Sequence, residues 1–254
     1  MLLVIDAGNT NTVLGLYQRE ELVKSWRIRT ERNITEDEFC ILVKSLLKDS
    51  GIDLRVITKT VISSVVPPVM GILDAFCRKH LGHAPTWVNA KNSGGLTILY
   101  NNPDEVGADR IVNAVAAYRR YKTDLIVIDF GTATTFDIVT AKGEYLGGAI
   151  TPGIMISAEA LFQRTSKLPR VELFEPPASV IGKDTPGSMK SGIILGYASL
   201  VDGMVSKISK ELGIKFKVVA TGGLADLMTK VSDSIEVVDG NLTLEGLRII
   251  GEMS

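Results

Sequence analysis

Two similar turns, about half a chain apart, constrain the fold of this 254-residue sequence more than any other feature. A short apolar run at residues 2–5 leads into Asp6-Ala7-Gly8-Asn9-Thr10, and a second run leads into Asp129-Phe130-Gly131-Thr132. Each predicts a buried strand that enters a tight turn carrying a carboxylate, a glycine and a threonine. A repeat at this spacing indicates duplication of a whole domain rather than a short solenoid repeat.

The elements predicted around the two turns follow roughly the same order in both halves. In the first half, period-two and helical patterns predict strands at 2–5, 12–17, 22–28, 60–66 and 86–88 and helices at 35–48, 67–80 and 111–118. In the second half they predict strands at 124–129, 135–140, 145–150, 217–220 and 235–238 and helices at 153–165, 189–212 and 244–253. Residues 168–188, rich in Pro and Gly, are predicted to form a loop. The sequence thus predicts an α/β fold with halves 1–120 and 121–254.

The chemistry of the two turns favours binding of a polyphosphate. Glycine lets the backbone approach a ligand closely, and backbone N–H groups and hydroxyls can hold phosphate oxygens. Because Asp6 and Asp129 would repel phosphate, each needs a cation beside it. Two such turns would clamp a polyphosphate–metal complex between the halves, whereas a single one could be no more than a polar hairpin turn. Thr221-Gly222-Gly223, after a predicted strand, either lets a nucleoside lie against the backbone or is a plain strand-to-helix turn.

Other binding classes lack their sequence features. Gly182-Lys183 is followed by Asp184, so the P-loop signature is absent, and there is no dinucleotide-binding glycine motif or zinc-like cluster. A net charge of −1 gives no support for a nucleic-acid or anionic-membrane surface. Two cysteines, no signal-like N-terminus and no long apolar run make a cytoplasmic protein the expectation.

A candidate catalytic group precedes the third predicted helix. Asp109 follows Gly107-Ala108 and would lie near the start of that helix, where its carboxylate can accept a proton from a substrate hydroxyl. Arg110 could neutralise a phosphate or pair with a substrate carboxylate. The alternative from these residues alone is an aspartate that caps the helix beside a surface arginine.

As a set, the motifs resemble those of the type III pantothenate kinases, within the superfamily of actin, Hsp70 and the acetate and sugar kinases. The resemblance extends over nearly the whole chain and rests on six segments: 6–12, 107–110, 129–135, 148–153, 182–185 with Ser191-Gly192, and 221–223. It implies a duplicated ribonuclease H-like, actin-like ATPase fold with a cleft between the halves. The implied reaction is transfer of the ATP γ-phosphoryl group to pantothenate, the first step of coenzyme A synthesis.

The resemblance also implies the site residues. Asp109 would be the general base, and Asp129 would hold a monovalent cation, potassium or ammonium. ATP, with Mg²⁺, would be bound by Asp6, Ala7, Gly8, Asn9, Thr10, Asn11, Thr12, Val13 and Thr132. Pantothenate would be bound by Tyr100, Gly107, Ala108, Asp109 and Arg110, and by Thr185 across a homodimer interface.

Two other functions are compatible with the same fold. One rival is a kinase or phosphatase for another small acid or sugar, and the other is a non-catalytic regulator similar to the Bvg accessory factor proteins. A regulator would be free to lose Asp109 or Asp129, and both are present. The predicted helix 189–212 carries more apolar residues than one core-facing stripe requires, which predicts a homodimer unless that helix is buried within its own domain.

Overall fold

The chain folds into two α/β units, and the computed structural model describes all of residues 1–254. The first unit comprises Met1–Arg119 and Leu242–Ser254, and the second comprises Arg120–Asn241. The chain passes from the first unit to the second after Arg119, one residue before the predicted end of the first half. The C-terminal segment differs from the predicted division, because it belongs to the first unit rather than to the second.

The strands and helices follow the predicted order with a few differences in their bounds. The strands are β1 Leu2–Ala7, β2 Asn11–Gln18, β3 Glu21–Arg29, β4 Lys59–Ser64, β5 Thr86–Trp87, β6 Thr97–Ile98, β7 Leu125–Phe130, β8 Ala133–Val139, β9 Glu144–Pro152, β10 Lys217–Thr221 and β11 Val237–Val238. The helices are α1 Glu36–Asp49, α2 Pro67–Phe76, α3 Ala108–Tyr121, α4 Ile154–Arg164, α5 Thr185–Leu212, α6 Ala225–Met228 and α7 Leu242–Met253. None of these helices is both long and apolar enough to cross a membrane.

The five matching strands of each unit lie in the same order. In the first unit the order is β3-β2-β1-β4-β5, and in the second it is β9-β8-β7-β10-β11. In both, an antiparallel three-strand meander is extended by two strands parallel to its first strand. This shared topology confirms the predicted duplication. In each unit the carboxyl ends of two parallel strands, β1 and β4 or β7 and β10, also lie side by side. The Gly-containing turn follows the first strand of each pair.

Local sequence signals explain where the main helices begin. The predicted capping box of α1 is present: the Thr35 hydroxyl accepts the Glu38 N–H at 3.2 Å, and Glu38 accepts the Thr35 N–H at 2.8 Å. Helix α5 begins four residues earlier than predicted, at Thr185. Asp184 caps it by accepting the Gly187 N–H at 2.7 Å, and a proline in its first turn needs no N–H partner.

Packing assigns α7 to the first unit. A Cβ on Gly251 would lie 2.9 Å from Val61 and 3.1 Å from Leu2, so the helix axis lies close to β1 and β4. The Lys59 ammonium donates to the Gly251 carbonyl at 2.6 Å and neutralises the carboxyl end of the helix dipole. The partners of α7 are therefore almost the whole chain length away in sequence.

Each unit has its own apolar core. In the first unit, Leu3, Ile5 and Ala7 of β1 pack with Ile62 of β4 and with α1 and α2. In the second unit, alternate residues of β7 and β8 pack against α5. In both units Asp6 or Asp129 alternates with these core residues and so lies on the opposite sheet face.

Candidate active site

The first turn is held rigidly at the end of β1. The Gly8 N–H donates to the Asn11 carbonyl at 3.0 Å, closing the turn. The Thr30 hydroxyl, just beyond β3, donates to the Gly8 carbonyl at 2.7 Å and lies 2.9 Å from the Thr12 hydroxyl. Asn9 and Thr10 at the tip are exposed. Thr30 was not identified from the sequence, because only the pairing of β2 with β3 brings it beside the turn.

The start of α3 lies beside this turn. The Val65 N–H, just after β4, donates to the Ala7 carbonyl at 3.3 Å. A Cβ on Gly107 would lie 3.7 Å from a Val65 methyl group and only 2.6 Å from Asp109 Oδ1. Gly107 therefore allows the chain to pass close to the end of β4 and places Asp109 near the Asp6 turn. Two of the predicted site segments are thus neighbours within the first unit.

The structure disagrees with the alternative in which Asp109 only caps α3 beside a surface arginine. Asp109 is the second residue of the helix, not its cap, and Arg110 is only 7% exposed. Asp109 Oδ1 accepts the Arg110 N–H at 2.8 Å. Burial raises the pKa of the Asp109 carboxyl above its ordinary value, and the Arg110 N–H and charge offset part of that effect.

The second turn brings three glycine-containing segments together at the end of β7. The Gly131 N–H donates to the Ala133 carbonyl at 3.1 Å, and the Gly153 N–H donates to the Thr132 carbonyl at 3.1 Å. Gly222 has a φ of +92° and lies against Asp129 and Phe130. Gly222 therefore forms one wall beside the Asp129 carboxylate, and contact of Thr221-Gly222-Gly223 with a nucleoside stays a prediction. Thr132, predicted to contact ATP, is exposed at the tip.

A model of the type III pantothenate kinase family matches residues 2–207 of this sequence. The chain belongs to that family. Type III pantothenate kinases from Desulfatibacillum aliphaticivorans and Desulfosudis oleivorans are 63% and 61% identical to it, over 98% and 99% of this chain and 97% and 98% of theirs. The family identified from the motifs is thus confirmed.

A solved structure shares the fold of this kinase. Component A of (R)-2-hydroxyglutaryl-CoA dehydratase from Acidaminococcus fermentans aligns with a TM-score of 0.58 over 100% of this chain and 96% of its own. At 14% identity, this likeness concerns the fold alone. Together with the repeated strand order, it confirms the predicted actin-like ATPase architecture.

The other predicted substrate residues of this kinase lie in different parts of the chain. Tyr100 is partly buried in the loop that follows β6, in the first unit. Thr185 is exposed at the start of α5, in the second unit, beside a cavity of about 890 Å³. This cavity is lined mainly by α5, and Leu161 of α4, Leu168 and residues 182–184 complete its wall.

The residues of the kinase fit a divalent ion that is bound chiefly by its substrate. No group of three or more His, Cys, Asp or Glu side chains in the chain could hold a metal ion. The Asp6 turn instead offers one carboxylate together with hydroxyl and backbone groups. This donor set suits Mg²⁺, which binds one or two carboxylates and takes its remaining ligands from phosphate oxygens and water.

A buried polar network in the second unit was missed by the sequence analysis. The Asp137 side chain, fully buried on β8, accepts the Tyr145 hydroxyl at 2.6 Å and the Thr135 hydroxyl at 3.0 Å. Asp137 has apolar neighbours on both sides in sequence. This pattern indicates a buried carboxylate only when both faces of the strand are known to be covered, which the sequence does not show.

Proposed function

We propose that this chain transfers the γ-phosphoryl group of ATP to the primary hydroxyl of pantothenate, with Asp109 as the base that receives the hydroxyl proton. Its family membership makes it an ATP-dependent pantothenate kinase acting in coenzyme A synthesis. The observation that carries the assignment of the base is the placement of the partly buried Asp109 carboxylate beside the Asp6 turn.

The environment of Asp109 suits proton transfer. A carboxylate whose pKa is raised by burial is a stronger base than an ordinary aspartate, and burial raises the pKa of Asp109. The Arg110 N–H fixes one carboxylate oxygen and hence the orientation of the group. The buried Arg110 guanidinium is the cation we assign to the substrate carboxylate or the transferred phosphoryl group.

The Asp6 turn is the proposed phosphate site. Backbone N–H groups and hydroxyls from Asp6 to Val13 would bind phosphate oxygens, and Mg²⁺ would lie between those oxygens and the Asp6 carboxylate. When bound, the ion would neutralise charge that develops on the phosphoryl group. Thr132, on the exposed second turn, is the proposed further contact to ATP.

Asp129 is the proposed ligand of a monovalent cation. Its carboxylate lies close to Gly131 and Gly222, and it would repel bound phosphate unless a cation compensates its charge. A large monovalent ion accepts irregular oxygen ligation, whereas Mg²⁺ demands near-octahedral geometry. Potassium or ammonium is therefore the cation we assign to this carboxylate.

The proposed assembly is a homodimer in which Thr185 reaches the partner's pantothenate. Support comes from exposed apolar residues of the second unit rather than from α5 itself, since Ile193, Ile194 and Val201 are buried in their own core. Phe174, Val180 and Ile181 are each 75% exposed, close in sequence to Thr185. Such exposure is typical of a surface that another chain covers. A cytoplasmic location without nucleic-acid or membrane partners remains a prediction.

A coupled ADP-release assay tests the proposed function. Pantothenate should stimulate ADP release in the presence of Mg²⁺, and mass spectrometry should detect phosphopantothenate. Sugars, other alcohols and small hydroxy acids form the comparison panel. Stronger stimulation by a member of that panel would contradict the proposed substrate, and absence of stimulation by every compound would favour a non-catalytic regulator.

A further inference from the structure

Three positions on the two strands that follow the second turn are polar, although their counterparts in the first unit are apolar. Strand pairing defines the three equivalent positions in each unit. The first lies opposite the aspartate of the turn, the second is two residues further along the same strand, and the third is on the last strand of the meander. In the second unit these are Thr135, Asp137 and Tyr145. In the first unit they are Val13, Gly15 and Leu22.

The apolar residues of the first unit show that this sheet topology forms without the polar side chains found in the second unit. The first unit forms the same meander with Val13 opposite Asp6 and with no carboxylate at the position of Asp137. Burying a carboxylate is costly even when it is hydrogen-bonded. Asp137 is nevertheless fully buried in the second unit. The network therefore has a purpose other than holding the strands together.

The direction of the hydrogen bonds indicates that purpose. Thr135 has one hydroxyl proton, which it donates to Asp137 Oδ2 at 3.0 Å, so its oxygen lone pairs point away from Asp137. Asp137 lies opposite Val127, two residues before Asp129 on β7. The Thr135 lone pairs consequently face the end of β7 at which Asp129 lies. Tyr145 donates to the other oxygen of Asp137 at 2.6 Å and keeps that carboxylate in place.

Thr135 and Asp129 are close enough to share an ion. They are a directly opposed antiparallel pair on one sheet face, which places their Cβ atoms about 4.5–5.5 Å apart. Both are partly exposed, unlike Asp137 and Tyr145 behind them. A hydroxyl whose proton is already donated presents only acceptor character to this space, which suits a cation and repels an anion.

We propose that Thr135 is a further oxygen ligand of the cation beside Asp129, and that Asp137 and Tyr145 are positioning residues that orient its hydroxyl. This inference rests on the proposed monovalent-cation site at Asp129. The first unit, with Val13 opposite Asp6, would lack such a ligand, so the asymmetry of the duplicated fold confines the monovalent cation to the second unit.

The test compares potassium binding in matched variants of the full chain. Thr135→Val removes the hydroxyl and Thr135→Ser retains it, while Tyr145→Phe is matched by Tyr17→Phe, which alters a buried tyrosine of the first unit. Potassium replaces choline at constant ionic strength. Two quantities are measured: the potassium concentration that gives half-maximal kinase activity, and the potassium-dependent rise in Tm without turnover.

In both measurements, Asp137→Asn should raise the half-saturating potassium concentration by about 10–100-fold, the usual effect of losing a ligand's supporting partner. Thr135→Val, which removes the ligand itself, should raise it at least as much. Tyr145→Phe should shift it in the same direction, and Thr135→Ser and Tyr17→Phe should stay close to wild type. An unchanged potassium response in Thr135→Val would overturn the inference while leaving the cation site intact. No potassium response in the wild type would overturn both. If Asp137→Asn does not fold, the two Thr135 variants decide the question.

Discussion

Gly222 lies directly against the Asp129 carboxylate: a Cβ on residue 222 would be 2.4 Å from Asp129 Oδ1 and 2.7 Å from the Phe130 backbone. Its φ of +92° is also one that residues with a side chain rarely adopt. Glycine is therefore required here twice, for backbone conformation and for space. The turn that follows β10 thereby restricts where the Asp129 side chain can point.

Gly222→Ala should displace the Asp129 carboxylate and disrupt the second turn. We expect a loss of stability of about 1–3 kcal/mol from the strained backbone, together with weaker potassium activation. Gly240→Ala is the matched control, since nothing lies within 4 Å of a Cβ at that position. Thermal unfolding and potassium titration check both effects. Equal behaviour of the two variants would show that the space beside Asp129 is not restrictive.

The meanders and the first helix could be predicted because their signals are local. Turn residues separate short apolar runs, and Thr35 with Glu38 marks the start of α1. The family motifs located the Asp6, Asp109 and Asp129 segments in the same way. In each case, residues close in sequence carried the information.

The features that were missed depend on residues distant in sequence. Helix α7 packs against β1 and β4, and its amphipathic pattern does not indicate which sheet it covers. Thr135, Asp137 and Tyr145 form a network only through the register of β8 with its neighbours. The two-residue strand β6 is too short to give a periodic signal.

Asp109→Asn should lower kcat while leaving ATP binding and folding intact. The amide keeps the shape of the carboxylate but cannot accept the proton of pantothenate. General-base catalysis is typically worth about 10²–10⁴-fold, with the lower end expected if the phosphoryl transition state is loose. The control is Asp104→Asn, an exposed carboxylate just before α3. Turnover of Asp109→Asn within a few-fold of wild type would remove Asp109 from the mechanism.

The pH dependence of activity should report the raised pKa of Asp109. The base must be ionised, so kcat/KM should fall as the pH drops through a value above the ordinary aspartate pKa of 3.8. In Asp109→Asn this acid limb should disappear from the residual activity. Persistence of the same limb in the variant would assign it to another group.

Stability should change with pH in the opposite sense to activity. Because burial raises the folded-state pKa of Asp109, the neutral acid is favoured in the folded protein, and this contribution to stability is lost as the pH rises through that pKa. Asp109→Asn should therefore gain Tm relative to wild type between acid and neutral pH. The Tm difference, measured across that range without ligands, should be smallest at low pH.

Ile181→Asp should weaken the homodimer. Ile181 is 75% exposed in one chain, and a buried charge at an apolar interface is strongly unfavourable. Light scattering at micromolar concentration should show a dimer for the wild type and a lower mass for the variant, with a higher KM for pantothenate if Thr185 serves the partner. Ile41→Asp, at a similarly exposed isoleucine of α1, should keep the dimer. A fully active wild-type monomer would contradict the proposed assembly.

Asp129→Ala should abolish activation by monovalent cations rather than merely weaken Mg²⁺ binding. With Mg²⁺ fixed and a large organic cation as the only other cation, addition of potassium or ammonium should raise the initial rate of the wild type. If Asp129 holds that ion, the variant should show a flat response at every Mg²⁺ concentration, because the carboxylate that compensates the ion's charge is gone. If Asp129 instead contacts Mg²⁺ through water, the wild type should itself respond weakly to potassium, and excess Mg²⁺ should restore the variant. Restoration of the variant's rate by excess Mg²⁺ would therefore assign Asp129 to Mg²⁺. A potassium response that is present in the wild type and lost in the variant would assign it to the monovalent ion.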